Sequence, residues 1–129
     1  MYEMTEGLLS EEIRAARDSV IRFMSEEVVP VMERHERDKE FPRALVRKAG
    51  ELGLYGAIFP EWVGGTDMGY LAAAVVTEHL ARLDARFASS TNQQGGTCPL
   101  SIFLGGTDEQ VRRFVPRFLA GETVGMMSR

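Results

Sequence analysis

Ser89-Ser90-Thr91-Asn92-Gln93-Gln94 places six uncharged polar side chains in a row between apolar segments. Side chains of this kind favour helix caps and turns, where a hydroxyl or amide satisfies the local backbone. They bring hydrogen bonds rather than a nucleophile, because Ser89, Ser90 and Ser101 have no G-x-S-x-G elbow around them. The remaining reactive types are sparse. His35 lies in the charged stretch MERHERDKE and His79 beside Glu78, and neither has a second ligand at metal spacing. Cys98 has no flanking His or base, which suits a small buried thiol. Gly64-Gly65 and Gly95-Gly96 lack the G-x-G-x-x-G or G-K-[ST] context of a phosphate loop. Read on the residues alone, the chain shows no catalytic constellation and no metal site.

The charge balance excludes further classes. Fifteen basic and nineteen acidic residues leave a formal charge of −4. That argues against nucleic acid as a partner, since no basic face stands out. Arg112, Arg113 and Arg117 cluster, but a solvated helix face accounts for them. No apolar run approaches the ~20 residues that span a bilayer, so no membrane partner is expected. The opening MYEMTEGLLSEE is acidic, unlike a secretory signal or a transit peptide. The single Cys98 cannot form an internal disulfide, which suits a reducing, cytoplasmic setting.

The elements that must position the polar row read as helices. A chain of 129 residues with 44% apolar content fits one domain with a real core. Ser10 caps a long first helix whose stripe runs through Ile13, Ala16, Val20, Met24, Val28 and Val31. Pro30 predicts a kink or local break near Glu26, and the charges from Glu33 to Glu40 predict an exposed connection. Pro42 opens a second helix that buries Leu45, Val46, Ala49 and Leu52, with Gly53 as its left-handed cap. Residues 54–65 read as a loop that must pack Tyr55, Ile58, Phe59 and Trp62. Thr66 or Asp67 is the expected cap of a third helix with its stripe at Leu71, Ala74, Val75, Glu78 and Arg82. Short helices over Phe87–Gln94 and Thr97–Leu104 follow, joined weakly at Gly95-Gly96.

The last helix is the clearest. In GTDEQVRRFVPRFLAGE, Thr107 and Gln110 form a capping box, and Asp108 and Glu109 sit where the helix dipole favours them. Val111, Phe114, Val115, Phe118 and Leu119 make one apolar stripe, and Gly121 ends it. Val124–Met127 reads as a first strand. The expected class is therefore all-α, a bundle of about six up-down helices over residues 1–122, with residues 123–129 read as a strand.

The order of residues in Gly106–Glu122 resembles the last helix of the N-terminal domain of acyl-CoA dehydrogenases. Three further segments resemble the same family in the same order: Phe41-Pro42, the loop Pro60-Glu61-Trp62-Val63-Gly64-Gly65, and Glu78-His79-Leu80-Ala81-Arg82-Leu83-Asp84-Ala85. The resemblance covers nearly the whole chain. It implies a domain of a FAD-dependent enzyme that removes an α-proton from an acyl-CoA and passes the β-hydride to the flavin. It also implies that residues 123–129 start a β domain, and it implies an electron-transferring flavoprotein as partner and a homo-oligomer, dimer or tetramer.

By a gap-free match from Gly106, the resemblance puts Ser89, Ser90, Gln93, Gln94 and Thr97 against the acyl group and Met127 near the flavin. A lining this polar fits a short, polar or cyclic acyl group, because a fatty chain would leave its donors unpaired at ~1–3 kcal/mol each. Glutaryl-CoA dehydrogenases carry a substrate-binding Arg in this segment, where the chain has Ala88; Arg86, two residues away, is expected to face elsewhere. The family's catalytic Glu and most flavin contacts belong to segments outside these residues, so no residue here is expected to be catalytic. A flavin oxidase or monooxygenase shares this domain and stays an alternative, as does a non-catalytic helical interaction module.

Overall fold

The computed structural model describes residues 6–128, and over them the protein is a bundle of helical rods around a buried loop. Residues 1–5 of the expected helical domain, and Arg129, lie outside the described residues. The first rod comprises α1 (Glu11–Phe23), a π-turn (Met24–Val28) and α2 (Val29–Arg37). Ser10 Oγ accepts from the Ile13 N–H at 3.3 Å, as an N-cap should. The expected break near Glu26 takes the form of the π-turn. Pro30 has no N–H, and its ring would strike the carbonyl of Glu26 in a regular coil. The coil widens instead, and Val29 N–H reaches Met24 O, five residues back. The stretch Glu33–Glu40 is not a connection throughout, because α2 carries its charges out to Arg37.

Pro42 is the N-cap of α3 (Arg43–Glu51) rather than its first residue, and Gly53 takes a φ of 77° beyond its end. Val46 and Ala49 are fully buried, while Leu52 is exposed. Residues 54–65 enter the core, which is unusual for a loop. Tyr55, Phe59 and Val63 are buried, and the Tyr55 hydroxyl donates to Val46 O at 2.9 Å. That bond satisfies a polar atom that burial would otherwise penalise. Burial also pushes the Tyr55 phenol far above its usual range. Trp62 stays half outside, under the Arg112 guanidinium at 4.8 Å and beside Phe103 at 6.0 Å.

α4 (Tyr70–Leu83) starts later than Thr66 or Asp67 would have started it. The backbone of residues 66–69 is committed elsewhere: Thr66 N–H donates to Gly56 O, Asp67 N–H to Phe59 O and Gly69 N–H to Ala57 O. A segment laced to the loop in this way cannot begin a helix, and Gly69, at φ 88°, makes the turn. The buried stripe of α4 is also rotated from the expected one. Ala72, Val75, Val76 and Leu80 are inside, whereas Leu71, Ala74, Glu78 and Arg82 are exposed.

The two short helices expected after Asp84 form one rod: α5 (Ala85–Asn92), a π-turn (Gln93–Thr97) and α6 (Cys98–Gly105). Pro99 does here what Pro30 does in the first rod, and Cys98 N–H reaches Gln93 O, five residues back. Five rods, rather than six helices, are therefore present among the described residues. The last, α7 (Asp108–Leu119), carries the full capping box and ends in a Schellman turn at Gly121, φ 71°. The expected strand at Val124–Met127 is not formed, since a strand exists by pairing and no described segment lies beside it as a ladder.

α3 and the end of α7 meet backbone to backbone. A Cβ on Gly50 would lie 2.4 Å from the Ala120 carbonyl carbon. Helix propensity favours Ala over Gly by about 1 kcal/mol, but overpacking against a backbone costs about 1–3 kcal/mol. Gly50→Ala is therefore expected to destabilise the fold in urea titration, despite improving the helix; a raised midpoint would show that the two helices can part freely.

Candidate functional site

The polar row lies on the rod formed by α5, the π-turn and α6, and Asp84 fixes where that rod begins. The Asp84 carboxylate caps α5, accepting from the Arg86 and Phe87 N–H groups at 3.0 and 3.1 Å. The Arg86 guanidinium folds back onto the same carboxylate at 2.6 Å and also pairs with Glu36 of α2. Hydrogen bonding from Arg86 is the main reason the Asp84 carboxyl titrates below its ordinary value. Arg86 is thus engaged away from the polar row, as the sequence led one to expect. Ala88 is buried.

From Phe87 to Thr107 the chain has twenty-one residues with no charged side chain. Several of its hydroxyls are turned onto their own helix. Ser90 Oγ donates to Phe87 O at 2.7 Å, Thr91 Oγ1 to Ala88 O at 2.8 Å and Ser101 Oγ to Thr97 O at 2.7 Å. Such back-bonded hydroxyls keep lone pairs free to accept but have spent their proton. Ser89 is exposed, while Ser90, Gln93 and Thr97 are half-buried. Gln93 Oε1 faces the Cys98 thiol at 3.6 Å, and burial raises the titration of that thiol.

Gln94 departs from expectation. Its side chain is fully buried and bonded to the protein's own backbone, so it is not available to a ligand. The π-turn is the cause, because the wider coil swings Gln94 inward next to Gln93, which stays at the surface. Met127 is half-exposed and sits over α6, where Ser101 Oγ lies 3.7 Å from its sulfur. The structure therefore brings Gln93, Thr97 and Met127 to the α6 end of the rod, leaves Ser89 and Ser90 up to two turns earlier, and withdraws Gln94.

Two concavities flank this rod. One, of about 180 Å³, lies between the π-turn, the buried loop and α4, with Thr91, Asn92, Gly95 and Gly96 on one wall and Tyr55, Ile58 and Leu80 opposite. Sequence reasoning named Thr91 and Asn92 in the polar row and Tyr55 and Ile58 in the loop without joining them into one site, and read Gly95-Gly96 as a weak join and not a phosphate loop. A second groove, of about 550 Å³, runs between α6 and α7 along Ser101, Ile102, Phe114 and Phe118. Each histidine bonds a backbone carbonyl, His35 Nδ1 to Glu40 O at 3.1 Å and His79 Nδ1 to Val75 O at 2.8 Å. Among the described residues no group of His, Cys, Asp and Glu could hold a metal ion, and no helix is long and apolar enough to cross a membrane.

Comparison with known proteins adds to this geometry. Residues 10–122 match the family model described as acyl-CoA dehydrogenase, N-terminal domain. A glutaryl-CoA dehydrogenase of Desulfococcus multivorans is 32% identical over 120 residues, which is 91% of this chain and 31% of that protein. A mitochondrial isovaleryl-CoA dehydrogenase of Pongo abelii is 29% identical over 122 residues, 93% of this chain and 29% of that protein. Among solved structures, an acyl-CoA dehydrogenase from Bacillus anthracis complexed with FAD superposes with a TM-score of 0.80 at 32% identity, over 90% of this chain and 20% of that one. The chain thus spans less than a third of the length of these relatives.

The Asp84 cap yields a pH prediction. Its folded-state titration lies below its unfolded one, so its contribution is complete above the unfolded value, near 4, and is lost as pH falls through the folded value. Asp84→Asn keeps a capping oxygen but loses the charge, which is expected to cost about 1–2 kcal/mol at pH 7. Urea titrations of the two proteins should converge as pH falls below about 4; a constant gap across pH would show that the charge contributes nothing.

Proposed function

We propose, from the premise that this chain belongs to the acyl-CoA dehydrogenase family through its N-terminal domain, that it walls the acyl and flavin pocket of a FAD-dependent acyl-CoA dehydrogenase. The observation that carries this reading is the uncharged rod from Phe87 to Thr107, half-open at Gln93 and Thr97, with Met127 laid over its far end. A wall of that kind excludes water and presents fixed dipoles without introducing a competing base.

The residues fit one face of a flavin and not the whole cofactor. Met127 and Ser101 offer a soft, weakly polar surface for a ring edge, while the sequence has no glycine-rich cradle for a pyrophosphate. When bound, the flavin supplies the hydride acceptor; the chain's residues orient the acyl group and keep solvent from it. The proton-abstracting carboxylate must come from a segment beyond this rod, because no Asp or Glu lies between Arg86 and Asp108.

The substrate reading follows from the lining. Ser89, Ser90, Gln93 and Thr97 would leave polar atoms unpaired against a fatty tail, at ~1–3 kcal/mol each, so a short, polar or cyclic acyl group is the better fit. The two curated relatives described are named for glutaryl-CoA and isovaleryl-CoA, which supports that choice. With Ala88 and not an arginine in the segment, and Arg86 held by Asp84 and Glu36, a free carboxylate on the acyl group lacks a cationic partner on this rod. Electrons leaving a reduced flavin would pass to an electron-transferring flavoprotein, and a homo-oligomer belongs to the same proposal.

The test is flavin chemistry. The intact enzyme carrying this domain is expected to be yellow and to bleach with a short acyl-CoA, while residues 1–129, mixed with excess FAD and desalted, stay colourless. In the intact enzyme, Gln93→Leu should shift relative kcat/KM toward a straight apolar acyl chain by about tenfold or more. Failure to bleach with any of a series of short, branched and cyclic acyl-CoA thioesters would return the domain to a non-catalytic role.

A further inference from the structure

Gln94 spans a large stretch of sequence with one side chain. Its Nε2 donates to Thr123 O at 2.7 Å and to Phe118 O at 3.3 Å, and its Oε1 accepts from Gly125 N–H at 2.8 Å. The amide therefore reads both edges of the chain as it leaves α7, and it does so with no exposure to solvent. Residues 124–128 take no regular structure, so no ladder or helix holds them. Gly125 is held flush as well, since a Cβ there would meet the Phe118 ring at 2.5 Å and Cys98 Sγ at 2.7 Å. Two residues on, Ser101 Oγ only touches the Met127 sulfur at 3.7 Å, because its proton is already given to Thr97 O. The strong polar anchor of this segment is the Gln94 amide.

We propose that Gln94 is a positioning residue: it sets the path of residues 123–127 and thereby holds Met127 over α6. The π-turn is what makes this possible, because the widened coil aims Gln94 at the end of α7 while its neighbour Gln93 remains at the open face. Glutamine suits the task where an acid or a hydrocarbon does not. It offers two donors and an acceptor with no net charge, which matches two carbonyls and one N–H. A carboxylate would face the carbonyls with its charge, and Leu would strip the side-chain partner from Thr123 O and Gly125 N–H, while Phe118 O keeps the Gly121 N–H. The purpose assigned to Met127 rests on the functional reading above; the path of the segment does not, and the two fail separately, because the experiment below contains no flavin and no substrate.

The experiment is amide hydrogen exchange with methyl NMR on residues 1–129 and on the variants Gln94→Leu and Gln94→Glu. In Gln94→Leu the Gly125 amide is expected to exchange roughly ten- to a hundredfold faster, and the Met127 methyl signal to move to its unstructured position. Val115, in the core of α7, keeps its protection. In Gln94→Glu, burial raises the new carboxyl. Its neutral form can donate to Thr123 O and accept from Gly125, so protection at Gly125 returns as pH falls and is lost as pH rises. Unchanged Gly125 exchange and Met127 shift in the Leu variant would overturn the proposal. So would an equal loss at Val115 and Gly125 in both variants at every pH, which would make Gln94 an ordinary core residue.

Discussion

The contact between Gly95 and Tyr55 constrains most of what surrounds it. A Cβ on Gly95 would lie 2.9 Å from Tyr55 Cα and 3.0 Å from its carbonyl oxygen, so the rod and the buried loop touch through bare backbone. A loop can run through the core only if its own polar groups find partners. Many of its N–H groups pair with carbonyls among residues 53–60, Leu54 N–H reaches back to Ala49 O, and the Tyr55 hydroxyl finds Val46 O. The loop then becomes the floor on which α5, the π-turn and α6 lie, with Phe59 and Phe103 in an edge contact at 5.7 Å across it. Replacing the glycine would lift the rod off this floor and open the small cavity beside it.

Both π-turns end two residues before a proline, and the same physics accounts for them. A proline in the second helical position has a ring where the carbonyl four residues back would sit. At Pro30 and Pro99 the chain relieves the clash by widening one turn, not by ending the helix. The first widening keeps Val20, Met24 and Val28 in the core and passes the stripe to Met32. The second turns one glutamine outward and the next inward, which divides an otherwise uniform polar row into a surface part and a structural part. Pro116, inside α7, is accommodated without such a turn.

How much of this was legible depends on which forces set each element. The last helix could be read to the residue because its cap, charges, stripe and glycine stop are all local. Ser10, Gly53 and the break near Glu26 were legible for the same reason. The start of α4 was not, since residues 66–69 are held by carbonyls of residues 56–59, and no periodicity records such a pairing. The rotated stripe of α4 follows from what packs on it. In the site, Ser89, Ser90, Gln93 and Thr97, placed by the gap-free match, lie exposed or half-buried, whereas Gln94 is fully buried, because the π-turn separates it from its neighbour. The cavity that Thr91, Asn92 and the two glycines share went unread, since it depends on the loop that faces them.

The division of labour within the rod also explains why so few residues here can do chemistry. Charges cluster at its ends: Asp84 and Arg86 tie the start of α5 to Glu36, and Asp108 and Glu109 serve the first turn of α7. Between them the residues can accept or donate single hydrogen bonds, and several hydroxyls have already given their protons to the helix. Such a surface can orient a substrate and strengthen electrostatic interactions by excluding water, but it cannot abstract a proton from carbon. Any reactive group must therefore be brought to this surface from outside the rod. The wall needs rigidity more than reactivity, and here rigidity comes from glycine-tight backbone contacts under the rod and from one buried amide at its end.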